Sequence, residues 1–310
     1  MPDIVISEFM DEAAVDSLRQ QFDVLYDPAL VDKPEALANS LPHARALIVR
    51  NRTQVTNDLL EGGPALKCIG RLGVGLDNID LDACASRNIG VFPAIGANDL
   101  SVAEYVITTA MILLRGAYLA NDQMLAGDWP RQACSGREIS GKILGLIGFG
   151  GIAQHTAGLA RALGIKVVGY DPFLPADHEA WGTTKPLELN SLLEISDIVS
   201  LHVPLSDDTR HLINKNRLAL MKQDAILINA ARGGVVDEDA LIAALKAKAI
   251  GGAALDVYED EPLTADGGRK FADIPNLLLT PHIGGVTVES NQRVSQMIAE
   301  RVNSHLNAER

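Results

Sequence analysis

The stretch LIGFGGIA, residues 146–153, places three glycines at the end of an apolar run and directly before the helix-like segment HTAGLARAL. Its last six residues, Gly148 to Ala153, fit the pattern G-x-G-x-x-G/A. In a strand-turn-helix unit, Gly148 permits the tight turn, Gly150 lets the backbone approach a pyrophosphate, and the small Ala153 allows close packing of helix on strand. The phosphates then lie against the amide groups at the helix N-terminus. The stretch therefore predicts a dinucleotide site at one edge of a parallel sheet.

A second feature of such a site is an acidic residue about 20 residues further on, which holds the ribose hydroxyls of the adenosine. Asp171 closes the strand-like segment VVGYD at this distance. Taken alone, it is equally well explained as a turn residue before Pro172. The segment from Asp171 to Thr184 contains no lysine or arginine that could accept a 2′-phosphate. The sequence therefore favours NAD over NADP.

Strand-like and helix-like segments alternate along most of the 310 residues, which predicts two doubly wound α/β domains with parallel sheets. We expect a flavodoxin-like first domain of residues 1–98 and 287–310, and a Rossmann dinucleotide-binding domain of residues 99–286. The first domain is discontinuous because the segment from Thr287 has helical spacing and no strand of its own. The spacing of Ser101 and Glu104 predicts a capping box at the start of a long helix.

Composition excludes several classes of protein. The net charge of −13 comes from 40 acidic and 27 basic residues that are spread along the chain, which argues against a nucleic-acid binder. The three cysteines are far apart and form no CxxC, so we expect neither a disulfide framework nor a metal site. No signal peptide is visible, and the most apolar segment, from Val102, is too short and too charged to span a bilayer. We expect a cytoplasmic protein without a membrane partner.

Three charged residues follow three strand-like segments of the second domain, at the edge where ligands bind in such sheets. Arg232 follows AILINAA, Glu261 follows AALDVYED, and His282 follows NLLLTP. A histidine can exchange a proton with a hydroxyl near neutral pH, a carboxylate on its other nitrogen can fix its tautomer, and an arginine can grip a carboxylate at two points. Each residue alone has an ordinary structural explanation. Together they predict proton transfer on a carboxylate-bearing substrate.

The sequence resembles the D-2-hydroxyacid dehydrogenases, close to the D-3-phosphoglycerate dehydrogenase branch. The resemblance runs from about Gly70 to Gly285 and is carried by the stretches GRLGVGLDNID, NDLSVAEY, GKILGLIGFGGIA, LHVPLSDDTRHLIN, INAARGGVVDEDAL, LDVYEDEPL and TPHIGG. It implies an NAD-dependent enzyme in which His282 is the acid/base, Glu261 its partner and Arg232 the substrate anchor. It also implies a homodimer formed through the long helix near Ser101.

The resemblance further implies which residues contact the cofactor. They are Gly148, Gly150, Gly151, Ile152, Asp171, His202, Val203, Pro204, Thr209, Ala230, Ala231, Arg232, Asp256, His282, Ile283, Gly284 and Gly285. The sequence departs from the family at Gly151, where many relatives carry arginine, and at Ala153, which replaces the last glycine of the pattern. The chain ends at Arg310, so we expect no serine-type feedback through a further regulatory domain.

Substrate discrimination is expected from the first domain. Several residues follow its strands or match substrate-binding positions of the family: Arg50, Arg52, Arg71, Val74 and Gly75, with Arg131 of the second domain in addition to Arg232 and His282. So many cations favour a substrate with a second anionic group, and 3-phosphoglycerate and (S)-3-sulfolactate are the candidates. The glycine-rich loop is more similar to that of sulfolactate dehydrogenases. Two alternatives remain open: a hydroxypyruvate or glyoxylate reductase, and an NAD-sensing corepressor that binds peptides instead of turning over a substrate.

Overall fold

The computed structural model describes residues 1–308 and divides the chain into two compact units. The first unit consists of Met1–Asn98 and the segment that starts at Val286. The second unit is the continuous stretch Asp99–Gly285. Each unit is built on its own parallel sheet.

The first unit contains a sheet of five parallel strands in the order β2-β1-β3-β4-β5. This is the flavodoxin-like order, and it confirms the predicted fold class. Strands β1 and β3 are short runs of apolar residues that are buried throughout, as expected for strands with helices on both faces. In chain order the elements are β1 (Ile4–Ile6), α1 (Glu12–Arg19), β2 (Val24–Tyr26), α2 (Pro34–Ser40), β3 (Ala46–Val49), α3 (Asn57–Glu61), β4 (Cys68–Arg71), α4 (Leu81–Ser86) and β5 (Gly90–Pro93).

The second unit contains a sheet of seven parallel strands in the order β12-β11-β10-β9-β6-β7-β8. The chain reverses direction across the sheet between β6 and β9, which is where a doubly wound sheet opens its ligand crevice. The elements are α5 (Asp99–Arg115), α6 (Asn121–Leu125), β6 (Ile143–Ile147), α7 (Gly151–Ala162), β7 (Lys166–Tyr170), β8 (Lys185–Pro186), α8 (Leu189–Ile195), β9 (Ile198–Leu201), α9 (Lys215–Leu218), β10 (Ile226–Asn229), α10 (Glu238–Lys246), β11 (Gly252–Leu255), α11 (Ala265–Gly268) and β12 (Leu277–Leu279). The two-residue strand β8 was not predicted from the sequence.

The last helix, α12 (Val288–Ala308), packs on the sheet of the first unit. Its buried residues Val294, Ile298, Val302 and Leu306 recur at four-residue intervals and join the apolar core formed around β1 and β3. Val288 is exposed, although the spacing placed it on the same face.

The predicted capping box at Ser101 is wrong. Helix α5 begins at Asp99, so Ser101 lies inside the first turn and is buried. An acidic residue in the first turn of a helix interacts favourably with the helix dipole, and Asp99 occupies that position.

The register of the second sheet aligns the ends of four neighbouring strands. Leu201 pairs with Asn229, Asn229 with Leu255, and Leu255 with Leu279. The residues that follow these four therefore leave the sheet at the same edge. This alignment brings together side chains that are up to 80 positions apart in the sequence.

Candidate active site

The glycine-rich turn between β6 and α7 has the geometry that a dinucleotide pyrophosphate requires. Gly148 has a φ of 85°, and a Cβ there would overlap the backbone carbonyl of His202, so only glycine fits without strain. Gly150 has no neighbouring atom where a Cβ would point, which leaves its backbone open. Ala153 is fully buried against the sheet. The backbone at these three positions has the conformation and packing that the pattern predicts, and their contact with a pyrophosphate stays a prediction.

His202, directly after β9, is a partly buried histidine beneath this turn. Burial lowers the pKa of its imidazole to about 4, so the ring is neutral at physiological pH. Its Nε2 lies 3.0 Å from the hydroxyl of Ser200. A little further on, the hydroxyl of Thr209 donates to the carbonyl of Pro204 at 2.6 Å and so closes the turn that follows Val203.

Asp171, at the end of β7, is held in place by two backbone amides. Its Oδ2 accepts from the N–H of Phe149 in the glycine-rich turn at 2.9 Å, and its Oδ1 accepts from Phe173 at 3.0 Å. The carboxylate therefore lies beside the turn, where the adenosine ribose is expected. A 2′-phosphate at this place would meet a fixed negative charge, which disfavours NADP.

Gly151, the first residue of α7, lies against the carboxylate of Asp99. A Cβ at position 151 would overlap Oδ2 of Asp99. Burial raises the pKa of Asp99, and the charge of His155 opposes this shift. The space that a side chain at position 151 would take up is therefore filled by a residue from the start of α5.

His282 and Glu261 form a direct pair at the carboxyl edge of the second sheet. Nδ1 of His282 lies 2.6 Å from Oε2 of Glu261, and the other carboxylate oxygen accepts from the N–H of Tyr258 at 3.0 Å. Burial alone would raise the pKa of Glu261, but its bonds to His282 and Tyr258 and the charge of Arg232 hold that pKa below its ordinary value. Both side chains remain partly exposed. The pair therefore engages Nδ1 of His282 and not Nε2.

Arg232 follows β10, and its charge helps to lower the pKa of Glu261. Its guanidinium donates to the carbonyl of Ala231 at 2.6 Å. The next residue, Gly233, packs so closely on the carbonyl of Tyr258 that any Cβ would overlap it. This contact fixes the turn of Arg232 against the loop that carries Glu261. The three charged residues that the sequence singled out are thus brought together in one unit.

Asp256, directly after β11, lies beneath the loop that carries His282. It is 1% exposed, and its carboxylate accepts from the hydroxyl of Thr280 at 2.6 Å, from the N–H of Ile283 at 2.8 Å and from the N–H of Gly284 at 2.7 Å. The sequence predicted a cofactor contact at this position. The structure shows that the carboxylate also holds the loop from His282 to Gly284 in place.

The arginines of the first unit are engaged by neighbours in that unit. Arg52 forms an exposed ion pair with Asp32 on the surface. Arg50 donates to the side-chain oxygen of Asn291 at 2.9 Å, and burial lowers its pKa, with Glu8 opposing. The third predicted arginine, Arg71, lies directly before the loop that carries Val74 and Gly75.

Arg71, the last residue of β4, folds over the loop that follows it. Its guanidinium donates to the carbonyl of Leu72 at 2.8 Å and covers Gly73, where a Cβ would overlap it. Val74 and Gly75 continue this loop and are partly exposed. Arg131, in the second unit, is exposed in the irregular segment after α6.

Comparison with known proteins identifies the family of this fold and site. Residues 107–284 match the family model described as "D-isomer specific 2-hydroxyacid dehydrogenase, NAD binding domain". Over 97% of its length the chain is 54% identical to the (S)-sulfolactate dehydrogenase of Chromohalobacter salexigens, of which it covers 97%. It is 37% identical over its whole length to the D-3-phosphoglycerate dehydrogenase of Methanocaldococcus jannaschii, of which it covers 58%.

The chain belongs to the D-isomer specific 2-hydroxyacid dehydrogenase family. Among solved structures, the D-lactate dehydrogenase from Aquifex aeolicus complexed with NAD and lactic acid covers 98% of the chain, with 29% sequence identity, a TM-score of 0.85 and 96% of that protein covered. The protein is therefore an NAD-dependent D-2-hydroxyacid dehydrogenase, as the motifs predicted. Within residues 1–308, no helix is long and apolar enough to cross a membrane.

NAD fits the second unit of this dehydrogenase on structural grounds. The open backbone at Gly150 can hold the pyrophosphate, and the fixed carboxylate of Asp171 can hold the ribose. Further predicted contacts leave the sheet at the same edge: Ala230 and Ala231 after β10, and Ile283 to Gly285 after β12. Ile152 lies in the first turn of α7. Their individual contacts with NAD stay predictions.

Sequence reasoning missed two residues that shape the dehydrogenase. Glu8, buried after β1, accepts from the N–H groups of Arg50, Arg52 and Thr53 and so shapes the segment that carries two predicted substrate arginines. Tyr105 on α5 places its hydroxyl 2.7 Å from that of Thr280. Glu8 lies in no recognisable motif, and Tyr105 ends the stretch NDLSVAEY, which gave it no predicted role. Each residue acts on a segment far away in the sequence.

Proposed function

We propose that this dehydrogenase oxidises (S)-3-sulfolactate to 3-sulfopyruvate with NAD. The observation that carries the proposal is the 54% identity to an (S)-sulfolactate dehydrogenase over nearly the full length of both chains. The identity to the D-3-phosphoglycerate dehydrogenase is much lower, at 37%. The runner-up substrate is D-3-phosphoglycerate, which also carries a second anion.

The geometry of the second unit supports this reaction. When bound, NAD supplies the acceptor for the hydride that leaves C2 of the substrate. Nε2 of His282 takes the hydroxyl proton. Glu261 accepts the hydrogen bond from Nδ1, which keeps a proton on Nδ1 and favours the protonated ring that results. Arg232 binds the substrate carboxylate at two points. The products are the 2-oxoacid, NADH and one proton.

We propose that the first unit is the substrate domain and that a cation there binds the sulfonate. Arg71 is the leading candidate, since it lies on the loop that carries Val74 and Gly75. Arg50 is the second, and Arg131 of the other unit is a third. Arg52 is the weakest, because Asp32 already neutralises it at the surface.

Stereochemistry provides a sharp test. Sulfur outranks the carboxylate in naming priority, so the D arrangement is called (S) in sulfolactate and (R) in phosphoglycerate. We expect NADH to form from (S)-3-sulfolactate and not from its mirror image, and the rate with D-3-phosphoglycerate, D-glycerate and D-lactate to be lower. A panel of these acids, followed by NADH absorbance, measures this. Faster turnover of D-3-phosphoglycerate would establish the runner-up instead.

We further propose that the dehydrogenase is a cytoplasmic homodimer. Around the end of α5 and α6, three large apolar side chains are strongly exposed: Tyr118 at 71%, Leu125 at 86% and Trp129 at 77%. Such a cluster is typical of an interface. Light scattering should give twice the chain mass of 33.1 kDa. Changing Leu125 and Trp129 to serine should lower the mass, whereas the same change at the equally exposed Phe173 should not. A single-chain mass for the unaltered protein would contradict the proposal.

A further inference from the structure

A chain of side-chain hydrogen bonds runs from α5 to the loop of His282. The hydroxyl of Tyr105 lies 2.7 Å from that of Thr280, which in turn donates to Oδ1 of Asp256 at 2.6 Å. The same Oδ1 accepts the N–H of Ile283. Three elements, α5, β11 and the end of β12, are therefore joined through one buried carboxylate.

The direction of this chain follows from counting protons. A threonine hydroxyl has one hydrogen, and Thr280 uses it toward the carboxylate of Asp256. The hydroxyl of Tyr105 must then donate to the oxygen of Thr280. Each bond strengthens the next, because a hydroxyl that accepts a hydrogen bond becomes a better donor.

The loop that this chain supports has an unusual backbone conformation. His282 has a φ of 54°, in the left-handed region that non-glycine residues seldom adopt. Its N–H donates to the carbonyl of Asp256 at 2.8 Å, and the next two N–H groups donate to the carboxylate of the same residue. Such a conformation persists only where the surroundings hold it. Here the hydrogen bonds to Asp256 stabilise it.

We propose that Tyr105 and Thr280 are positioning residues for His282, acting through Asp256. Their hydroxyls fix Oδ1, Oδ1 fixes the amide of Ile283, and the loop then keeps Nδ1 of His282 at 2.6 Å from Glu261. This inference rests on the proposed acid/base role of His282. It assigns a function to Tyr105, which lies outside the strand-end motifs.

The test compares Thr280→Val, which removes the hydroxyl and keeps the shape, with Thr280→Ser, which keeps the hydroxyl. A net hydrogen bond of this kind corresponds to about a tenfold effect. We expect kcat to fall about tenfold in the valine variant and about fivefold in Tyr105→Phe, with serine restoring kcat to within about twofold. The dissociation constant of NADH, measured by fluorescence, should stay nearly constant.

A change in the pH profile separates positioning from mere stability. A looser His282–Glu261 pair favours the protonated ring less, so the rise of the oxidation rate with pH should begin at lower pH in Thr280→Val and Tyr105→Phe. The matched control is Tyr26→Phe, which removes a hydroxyl that donates to Met10 in the first unit. It should lower the melting temperature to a similar extent and leave the profile unchanged.

Three outcomes would overturn the inference. They are an unaltered pH profile in Thr280→Val, a loss of NADH affinity that equals the loss of kcat, and a serine variant as slow as the valine variant. Failure of the proposed function shows up separately, because His282→Asn would then retain its rate. If His282→Asn is inactive and Thr280→Val is normal, only the positioning role is wrong.

Discussion

The same reasoning from strand ends predicted two groups of residues, the cluster of His282, Glu261 and Arg232 and the arginines of the first unit. The first group comes together in the structure, whereas the arginines of the second group bind separate neighbours. The cluster forms as expected, because its residues follow strands whose ends are in register, and backbone contacts fix their loops. Arg50 and Arg52 also follow one strand, but their long side chains turn to Asn291 and Asp32. The position of a residue at a strand end predicts where its backbone lies. It does not predict where the charged group at the tip of a long side chain lies, because that depends on the neighbouring residues.

The largest expected effect comes from the cluster. Replacing His282 by Asn should lower kcat by about 10²- to 10⁴-fold, because general acid/base catalysis typically contributes that much. Binding of NADH should change little, since the reacting proton is not part of cofactor binding. Stopped-flow rates and NADH fluorescence measure the two quantities. A variant that keeps a tenth of the rate would show that another group transfers the proton.

A smaller loss of activity is expected when an arginine of the first unit is replaced, and it tests whether that arginine binds the substrate. A charge-assisted contact is worth about 1.5 to 3 kcal/mol. Replacing Arg71 by Met should therefore lower kcat/KM for sulfolactate roughly 10- to 150-fold and cost far less for D-lactate, which has no second anion. Arg52→Met is the matched control, because Arg52 is paired at the surface, and its kcat/KM should stay within about twofold of the unaltered enzyme.

If Arg71→Met weakens sulfolactate and D-lactate equally, the arginine supports the loop and does not bind the side group. If Arg52→Met shows the selective loss instead, Arg52 leaves Asp32 when the substrate binds. Steady-state kinetics with both acids separates these cases.

The smallest effect on the rate, and the most diagnostic one, is expected from Glu261→Gln. The bond to His282 contributes to the lowered pKa of Glu261, after burial, which acts in the opposite direction. By the same interaction the carboxylate favours the protonated ring, and a neutral amide does not. The oxidation rate should therefore begin to rise at a lower pH. An unchanged profile in the pH dependence of kcat/KM would make Glu261 a structural residue.

Most of the fold could be predicted from the sequence, because apolar periodicity and turn residues are local signals. The strands around Gly148 and Asp171 and the cluster of Arg232, Glu261 and His282 could be predicted from these signals. The start of α5 could not be predicted correctly, because the Ser101–Glu104 spacing imitates a cap while Asp99 begins the helix. The roles of Glu8 and Tyr105 depend on contacts over 42 to 175 positions, for which a single sequence carries no signal.

The contact between Gly151 and Asp99 makes the evolutionary history of the two positions interdependent. A side chain at position 151 requires the Asp99 carboxylate to move, and an arginine there would also offer it an opposite charge. The effect of either substitution thus depends on the residue at the other position, which is epistasis between two sites 52 positions apart. In an engineered reversal, the two codons should be varied together.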